Sequence, residues 1–408
     1  MSDQPGAPGA LIGIPKESID GELRVAMTPA ALGPLLKGGV RVVIESGAGM
    51  AAGFPDAAYT DKGATIGTRD EVFAADVLAA VRAPEGADRD RVRAGQVVVS
   101  MAAPLADPET AQAFAEKGAT LFALEMVPRT TRAQAMDVLS SQANVAGYKA
   151  VLLAASNLPK MYPLLTTAAG TIAPAKVLII GAGVAGLSAI ATARRLGSVV
   201  EAYDVRPAVK EEVQSLGARF VELPLETGQE GSGSGAYAQQ LSEETLKKQQ
   251  ELLAKTVAAS DVVITTAQVQ GKKAPVIVTS EMVAQMAPGS VIVDLAAEQG
   301  GNCEATVAGQ TTDVGGVKVI GPVNLPATIP THASLMYAKN VANFLQLMVA
   351  DGHVNPEVDD DIVRETMVTR GGQVVHPRVR EALGQEPLPA PAAPAEPEPA
   401  DSTEEVAG

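Results

Sequence analysis

The chain has 408 residues, enough for two separately cored domains, with 46% hydrophobic residues but only 3% aromatics and no Trp. The scarce aromatics and a formal net charge of −15 exclude a nucleic-acid reader, and no basic stripe is available to neutralise phosphates or anionic lipids. A single cysteine, Cys303, excludes an intrachain disulfide and a thiolate metal cage, and it fits a reducing compartment.

Residues 1–10 are Pro/Gly-rich, which reads as a disordered start, and carry neither the basic nor the apolar region of a signal peptide, so none is expected. Residues 11–143 alternate candidate strands (Leu11–Ile14, Val40–Ile44, Val77–Val81, Val97–Ser100, Thr120–Ala123) with helical stretches (Thr28–Lys37, Pro108–Glu116). Such alternation predicts a parallel sheet with helices on its faces. No Gly-rich phosphate loop occurs here. Pro15–Pro29 gathers Lys16, Glu17, Glu22 and Arg24, and on physics alone it reads as a solvated charged loop. Pro128–Asn144 (PRTTRAQAMDVLSSQAN) concentrates Arg129, Arg132, Gln134, Asp137, Ser140 and Gln142 just after a strand, where open sheets carry ligand loops. It reads equally as a plain loop whose Ser140 caps the next helix, and physics alone leaves both readings open.

Ser140–Ala155 has a helical apolar pattern and predicts a long linking helix. A second sheet follows, with strands at Val177–Ile180, Val199–Tyr203, Arg219–Val221, Val262–Thr265, Val291–Leu295 and Val317–Ile320, and then a helical Ser334–Val349. The expected fold is α/β: two Rossmann-like, doubly wound parallel-sheet domains linked by two long helices. The first domain is discontinuous, 11–143 plus 331–384; the second spans 144–330 and carries a mobile loop at 224–240 around the Gly/Ser-rich stretch Gly228–Gly235. Residues 385–408, rich in Pro, Ala and Glu, read as a disordered tail. Apolar runs are strand-sized, short of the ~20 residues a membrane helix needs, so no direct membrane insertion is expected.

Lys176–Gly186 (KVLIIGAGVAG) is the sharpest signal. An apolar strand runs into Gly181-Ala182-Gly183-Val184-Ala185-Gly186, and a helix opens at once. Gly181 makes the tight turn, Gly183 lets the backbone approach a pyrophosphate, and Gly186 lets helix and strand pack closely. The pyrophosphate sits on the helix N-terminus, where free N–H groups and the dipole favour negative charge. The next strand ends in Asp204, the acidic residue about 20 positions on that accepts from ribose hydroxyls. Its carboxylate repels a 2′-phosphate and favours NAD over NADP, whereas Arg206 could serve such a phosphate. Cys303 has no evident base or resolving partner, the histidines (His332, His353, His376) all fall late, and no spacing suggests a metal site.

Pro128–Tyr148, the GAGVAGL turn, Asp204-Val205-Arg206-Pro207, Thr265-Thr266-Ala267, Gly271–Pro275, Asp294–Glu304 (DLAAEQGGNCE) and Ser334–Phe344 together resemble the NAD(H)-binding component of proton-translocating nicotinamide nucleotide transhydrogenase. The similarity runs from Leu11 to about Gly384. It implies that NAD(H) binds here and exchanges a hydride directly with NADP(H) held on a separate component, while a membrane-spanning component couples the exchange to proton movement. It also implies a homodimer, cytoplasmic, peripheral on the cytoplasmic face of the inner (plasma) membrane through its partner subunits.

The family's nicotinamide loop maps onto Arg129, Gln134, Asp137 and Ser140. Gln134 would hold the dihydronicotinamide edge-on to the NADP ring, and Arg129 and Asp137 would anchor the carboxamide and the loop. Val184 and Asp204, Val205 and Arg206 map onto backbone and ribose contacts, and Tyr237 onto a closing tyrosine. Two departures stand out. Ala236 precedes Tyr237 where the family usually has Gly, and Gln268-Val269-Gln270-Gly271 replaces the usual Leu-Ile-Pro-Gly, removing an apolar contact to the adenosine end.

Direct hydride transfer between nicotinamides needs positioning and water exclusion rather than a general acid or base, which suits a chain with no histidine before His332. The competing family is alanine dehydrogenase, which shares the architecture and a similar Pro15–Pro29 string. It carries an acid/base His after the strand at Val97–Ser100 and a substrate Lys near Val77–Arg82; here those places read SMAAPL and VLAAVRAP. A non-catalytic NAD-binding sensor would need the Gly turn and Asp204 but not the polar 128–144 loop.

Overall fold

The computed structural model describes residues 9–222 and 243–388. The loop expected at 224–240, with Ala236 and Tyr237, lies outside them, as do residues 1–8 and 389–408. In chain order the strands are Leu11–Ile14 (β1), Arg41–Glu45 (β2), Thr65–Gly67 (β3), Val77–Arg82 (β4), Val97–Met101 (β5), Thr120–Ala123 (β6), Leu165–Thr167 (β7), Gly170–Ile172 (β8), Lys176–Ile180 (β9) and Val199–Tyr203 (β10). They continue with Arg219–Phe220 (β11), Val262–Thr265 (β12), Val291–Asp294 (β13), Thr311–Val314 (β14), Val317–Ile320 (β15), Val349–Ala350 (β16), His353–Val354 (β17), Met367–Arg370 (β18) and Gln373–Val374 (β19).

Two sheets dominate: an eight-stranded one in the order β19-β18-β6-β5-β4-β1-β2-β3 and a seven-stranded one in the order β11-β10-β9-β12-β13-β15-β14. Each contains a run of parallel strands that reverses direction of growth at its first strand, the doubly wound arrangement of Rossmann folds. The switch points lie between β1 and β4 and between β9 and β12. The edges depart from the parallel expectation, because β18, β19 and β14 each run antiparallel to a neighbour. In the second sheet β12 and β13 are buried at every position, the mark of parallel strands covered on both faces. β4 splits its side chains by period two: Val77, Ala79 and Val81 enter one core and Leu78 the opposite one.

The linking helix spans Val138–Asn157 and starts two residues earlier than its Ser-based reading, because Asp137 rather than Ser140 is the cap and accepts from the Ser140 N–H. Farther along, a Cβ added at Gly147 would lie 2.0 Å from the Ala185 carbonyl oxygen. The linking helix therefore crosses the helix Val184–Arg195 in backbone contact, and Ser188 Oγ donates to the Asn144 carbonyl at 2.8 Å across the crossing. The returning helix, Pro330–Gln346, begins on a Pro that needs no N–H partner. It drives Tyr337 and Phe344 into the first sheet's core, where the Tyr337 hydroxyl donates to the Ala80 carbonyl at 2.9 Å and Phe344 meets Phe122 edge-on at 5.4 Å.

The Pro15–Pro29 segment is not the solvated loop its charges suggest. Glu22 and Arg24 are both buried. Arg24 Nε and Nη2 donate to the two Glu22 oxygens at 2.8 and 2.6 Å, Nη1 donates to Gln142 Oε1 at 2.9 Å, and Nη2 also reaches Asn324 Oδ1 at 3.0 Å. Asn324 Nδ2 closes the ring on Glu22 at 2.9 Å. Burial raises a carboxyl, yet the Arg24 and Asn324 contacts outweigh it and hold Glu22 below its ordinary range. A fork-on-carboxylate pair with its remaining donors matched tolerates removal from water. This cluster joins the first sheet's loop, the linking helix and the return segment. Among the described residues, no helix is long and apolar enough to cross a membrane.

Candidate functional site

The glycine turn sits at the second sheet's switch point, between the ends of β9 and β12. Gly181 has φ +95°, a backbone conformation that costs side-chain-bearing residues, and its N–H donates to the Tyr203 carbonyl at 2.8 Å. A Cβ at Gly186 would lie 1.8 Å from the Gly181 carbonyl oxygen, so helix and strand meet there without room for a methyl group. Gly183 differs. It caps the helix Val184–Arg195, and an added Cβ would meet nothing within 4 Å. The protein itself does not require glycine at that position; a ligand lying on the helix N-terminus would.

Asp204, at the end of β10, is almost covered and fully engaged. Its Oδ2 accepts from the Ala182 N–H at 2.7 Å and Arg206 Nη2 at 2.9 Å, and its Oδ1 accepts from the Arg206 N–H at 2.8 Å and Nε at 3.0 Å. Burial pushes its carboxyl up, but Arg206 and the two backbone donors outweigh that and leave it ionised below its usual range. For Asp204 to accept from a ribose hydroxyl, the Arg206 guanidinium, 58% exposed as a side chain, has to yield its place. Beside it Val205 is 78% exposed, an uncovered apolar side chain at a position expected among the backbone and ribose contacts.

The segment after β12 closes the other side of the turn. Thr266 Oγ1 donates to the Gly181 carbonyl at 2.9 Å. Asn302, buried, holds Ala267 from both directions, accepting from its N–H at 2.9 Å and donating to its carbonyl at 2.8 Å. Asn302 is in turn fixed by Asp294, a buried carboxylate that accepts from Thr265, Thr306 and the N–H groups of Ala296, Asn302 and Cys303. The sequence reading missed Asp294, Asn302 and Thr266 as supports; the DLAAEQGGNCE string was the signal for the first two and Thr265-Thr266-Ala267 for the third. Gln268 is exposed and donates to the Leu295 carbonyl. Cys303 is buried, and burial pushes its thiol up, as an idle thiol requires.

The polar loop of the first sheet is held from behind. Arg132 pairs with Asp360, Nη1 to Oδ2 at 2.6 Å and Nη2 to Oδ1 at 2.9 Å, and contacts Asp361. The Ala135 carbonyl accepts from the side chains of Asn340 at 2.8 Å and Asn343 at 3.1 Å, both on the returning helix. Asp137 binds the Ser140 hydroxyl at 2.6 Å. With the loop pinned, Arg129 and Gln134 are left at its surface, and among the described residues no partner holds the guanidinium or the side-chain amide. The loop thus presents two unengaged polar groups on a fixed backbone, free to meet a ligand.

At the first sheet's own switch point, Glu17 accepts from the N–H groups of Val81 at 2.7 Å and Arg82 at 3.2 Å. Burial nevertheless pushes its carboxyl up to about 8, with nearby Glu22 adding to the rise. Glu17, Lys16, Arg69 and Arg82 line a cavity of about 10 Å³, room for one water. Among the described residues no group of three or more His, Cys, Asp or Glu side chains could hold a metal ion.

Two family models match the chain: Alanine dehydrogenase/PNT, N-terminal domain, over residues 13–146, and Alanine dehydrogenase/PNT, C-terminal domain, over residues 150–377. NAD(P) transhydrogenase subunit alpha of Haemophilus influenzae is 44% identical over 370 residues, covering 90% of this chain and 72% of that protein. The crystal structure of transhydrogenase from Sinorhizobium meliloti superposes with a TM-score of 0.82 at 46% identity, covering 90% of this chain and 100% of that one. Alanine dehydrogenase of Bacillus subtilis is 32% identical, covering 93% of this chain and 96% of that protein.

Proposed function

The chain belongs to the alanine dehydrogenase/PNT family, on the side of the NAD(P) transhydrogenase alpha subunits, and from that premise we propose that it is the NAD(H)-binding subunit of a proton-translocating transhydrogenase. Bound NADH supplies the hydride, and NADP held on a partner component accepts it. The turn Gly181–Gly186 takes the pyrophosphate on backbone N–H groups, with Gly183 leaving room for close approach. Asp204 takes the ribose, with Val184, Val205 and Arg206 among the backbone and ribose contacts and Gln268 toward the adenosine end. From the opposite loop, Arg129, Gln134, Asp137 and Ser140 orient the nicotinamide. Catalysis is then positioning and exclusion of water, with no side chain moving a proton.

The observation that carries this reading is the pinned Arg129–Ser140 loop with unengaged Arg129 and Gln134, joined through the linking helix to the glycine turn. An alanine dehydrogenase must protonate or deprotonate an amine, and the end of β5 offers Ser100 and Ala102 rather than a histidine. A homodimer, and attachment to the cytoplasmic face of a membrane through a membrane-spanning partner, complete the proposal. The hairpin β7–β8 supports the dimer: Leu165 and Ile172 on it, with Met161 and Leu164 beside it, are exposed apolar side chains on an element too small to stand alone.

The test is a titration of the chain with NADH and NADPH, followed by assays with L-alanine or pyruvate and with an NADP-binding transhydrogenase component. Preferential NADH binding and nicotinamide exchange only with the added component are expected. Gln134→Asn should slow hydride transfer at least tenfold while changing NADH affinity less than threefold. Turnover of alanine by the chain alone sinks the proposal.

A further inference from the structure

Gln270 stands in the segment after β12, where the resembling family usually has proline, and it does something proline cannot. Its Nε2 donates to the Glu125 carbonyl at 2.8 Å and lies 3.9 Å from Met126 Sδ. Glu125 and Met126 follow β6 of the first sheet and lead directly into Pro128 and Arg129. The next residue tightens the same junction, because a Cβ added at Gly271 would lie 2.7 Å from the Leu105 Cβ, also on a first-sheet loop. On the second-sheet side the segment has no slack: Asn302 grips Ala267, and Gln268 is tied to Leu295. On the first-sheet side Glu125 is equally fixed, its carboxylate accepting from the N–H groups of Ala103 at 2.8 Å and Ala102 at 3.2 Å.

We infer that Gln270 is a positioning residue, a cross-sheet tie that sets the gap between the segment lining the glycine turn and the root of the Arg129–Ser140 loop. The two long helices already join the sheets along their own length; Gln270 joins them directly, loop to loop. A hydrogen bond between two loops that are each pinned at the far side fixes a distance, whereas one to a free loop fixes nothing. The functional half of this inference rests on the proposed hydride transfer, in which a misplacement of about 1 Å costs on the order of 100-fold in rate. Gln270 touches neither reacting group, so its effect should fall on transfer and spare binding.

Gln270→Met keeps the side chain's volume and removes the donor. In the full chain without ligand, amide hydrogen exchange at residues 102–106 and 124–128 should become about tenfold faster. NADH affinity should change less than threefold, and single-turnover hydride transfer to the NADP-binding component should slow at least tenfold. Lys160→Met, which loses an exposed bond to Asp261 elsewhere in the second domain, should leave exchange at 124–128 at the wild-type rate. Unchanged exchange in Gln270→Met overturns the tie. Faster exchange with an unaltered transfer rate, or with binding and transfer lost equally, overturns the positioning role. If the wild-type chain transfers no hydride, the proposed function fails, and the exchange result still decides whether the tie exists.

Discussion

Single residues carry the sharpest consequences. Gly183 and Gly186 belong to one motif but answer to different neighbours, the first to open space and the second to the Gly181 carbonyl. Gly186→Ala should destabilise the fold by about 1–3 kcal/mol through overpacking. Gly183→Ala should change stability by less than about 1 kcal/mol and weaken NADH binding tenfold or more. Urea unfolding and an NADH titration separate the two, and a Gly183→Ala variant that binds normally would mean the pyrophosphate lies elsewhere. Glu17 gives a pH signature. Its folded pKa, about 8, stands above the ordinary carboxyl value of 4.5, so the folded form binds the extra proton between those values. That contribution is complete below pH 4.5, falls as pH rises through the window and is gone above 8, on the order of a few kcal/mol. Glu17→Gln should flatten this slope in urea unfolding at pH values of about 5.5, 7 and 8.5; an unaltered slope would assign it to other groups. The glycine turn was legible in the sequence because Gly181 and Gly186 answer local backbone demands and Gly183 completes their spacing. The burial of Arg24 was not, since its partners Gln142 and Asn324 lie 118 and 300 residues away, and a charge's partners across such distances leave no local pattern.

Elements were legible in proportion to their period. β1, β6, β10, β12 and β15 lie where their apolar pattern marks them: β12, buried at every position, reads as an unbroken apolar run, whereas β10 and β15 are interrupted at Glu201 and Lys318. β3, β14, β18 and β19 carry no more than two apolar residues each, too few to mark a strand, and are held by neighbours rather than by propensity. The linking helix starts at Val138 because the Asp137 carboxylate, just ahead of it, out-competes Ser140 as the cap. The loop before it owes its shape to a distant element, which the sequence hid: Arg132 reaches Asp360, the cap of the helix Asp361–Thr366. Arg132→Ala should cost under about 1 kcal/mol of global stability, as an exposed pair does. It should nevertheless slow hydride transfer more than it weakens NADH binding, because the loop bearing Gln134 loses one of its two anchors. Stopped-flow transfer rates beside binding isotherms check this, and equal losses would count against an anchoring role.

At the scale of the whole molecule, the Glu22–Arg24 pair is the joint on which the sheets meet. Glu22→Gln leaves a buried guanidinium without its counter-charge and should lower stability by about 3–5 kcal/mol, whereas Glu22→Gln with Arg24→Met should recover most of that loss. Urea denaturation of both variants decides it; a single-variant loss below about 1 kcal/mol would show that water reaches the pair. The architecture also sets an order in time. The first sheet is closed by β18 and β19, and Thr369, whose hydroxyl accepts from the Leu121 N–H, lies 248 residues beyond it. During synthesis at roughly 5–20 residues per second, β6 therefore waits roughly 12–50 s as an unpaired edge while the entire second sheet is made. The unit that emerges first from the ribosome is the last to be completed, and its nascent edge is the stretch of this chain that a chaperone has most time to find.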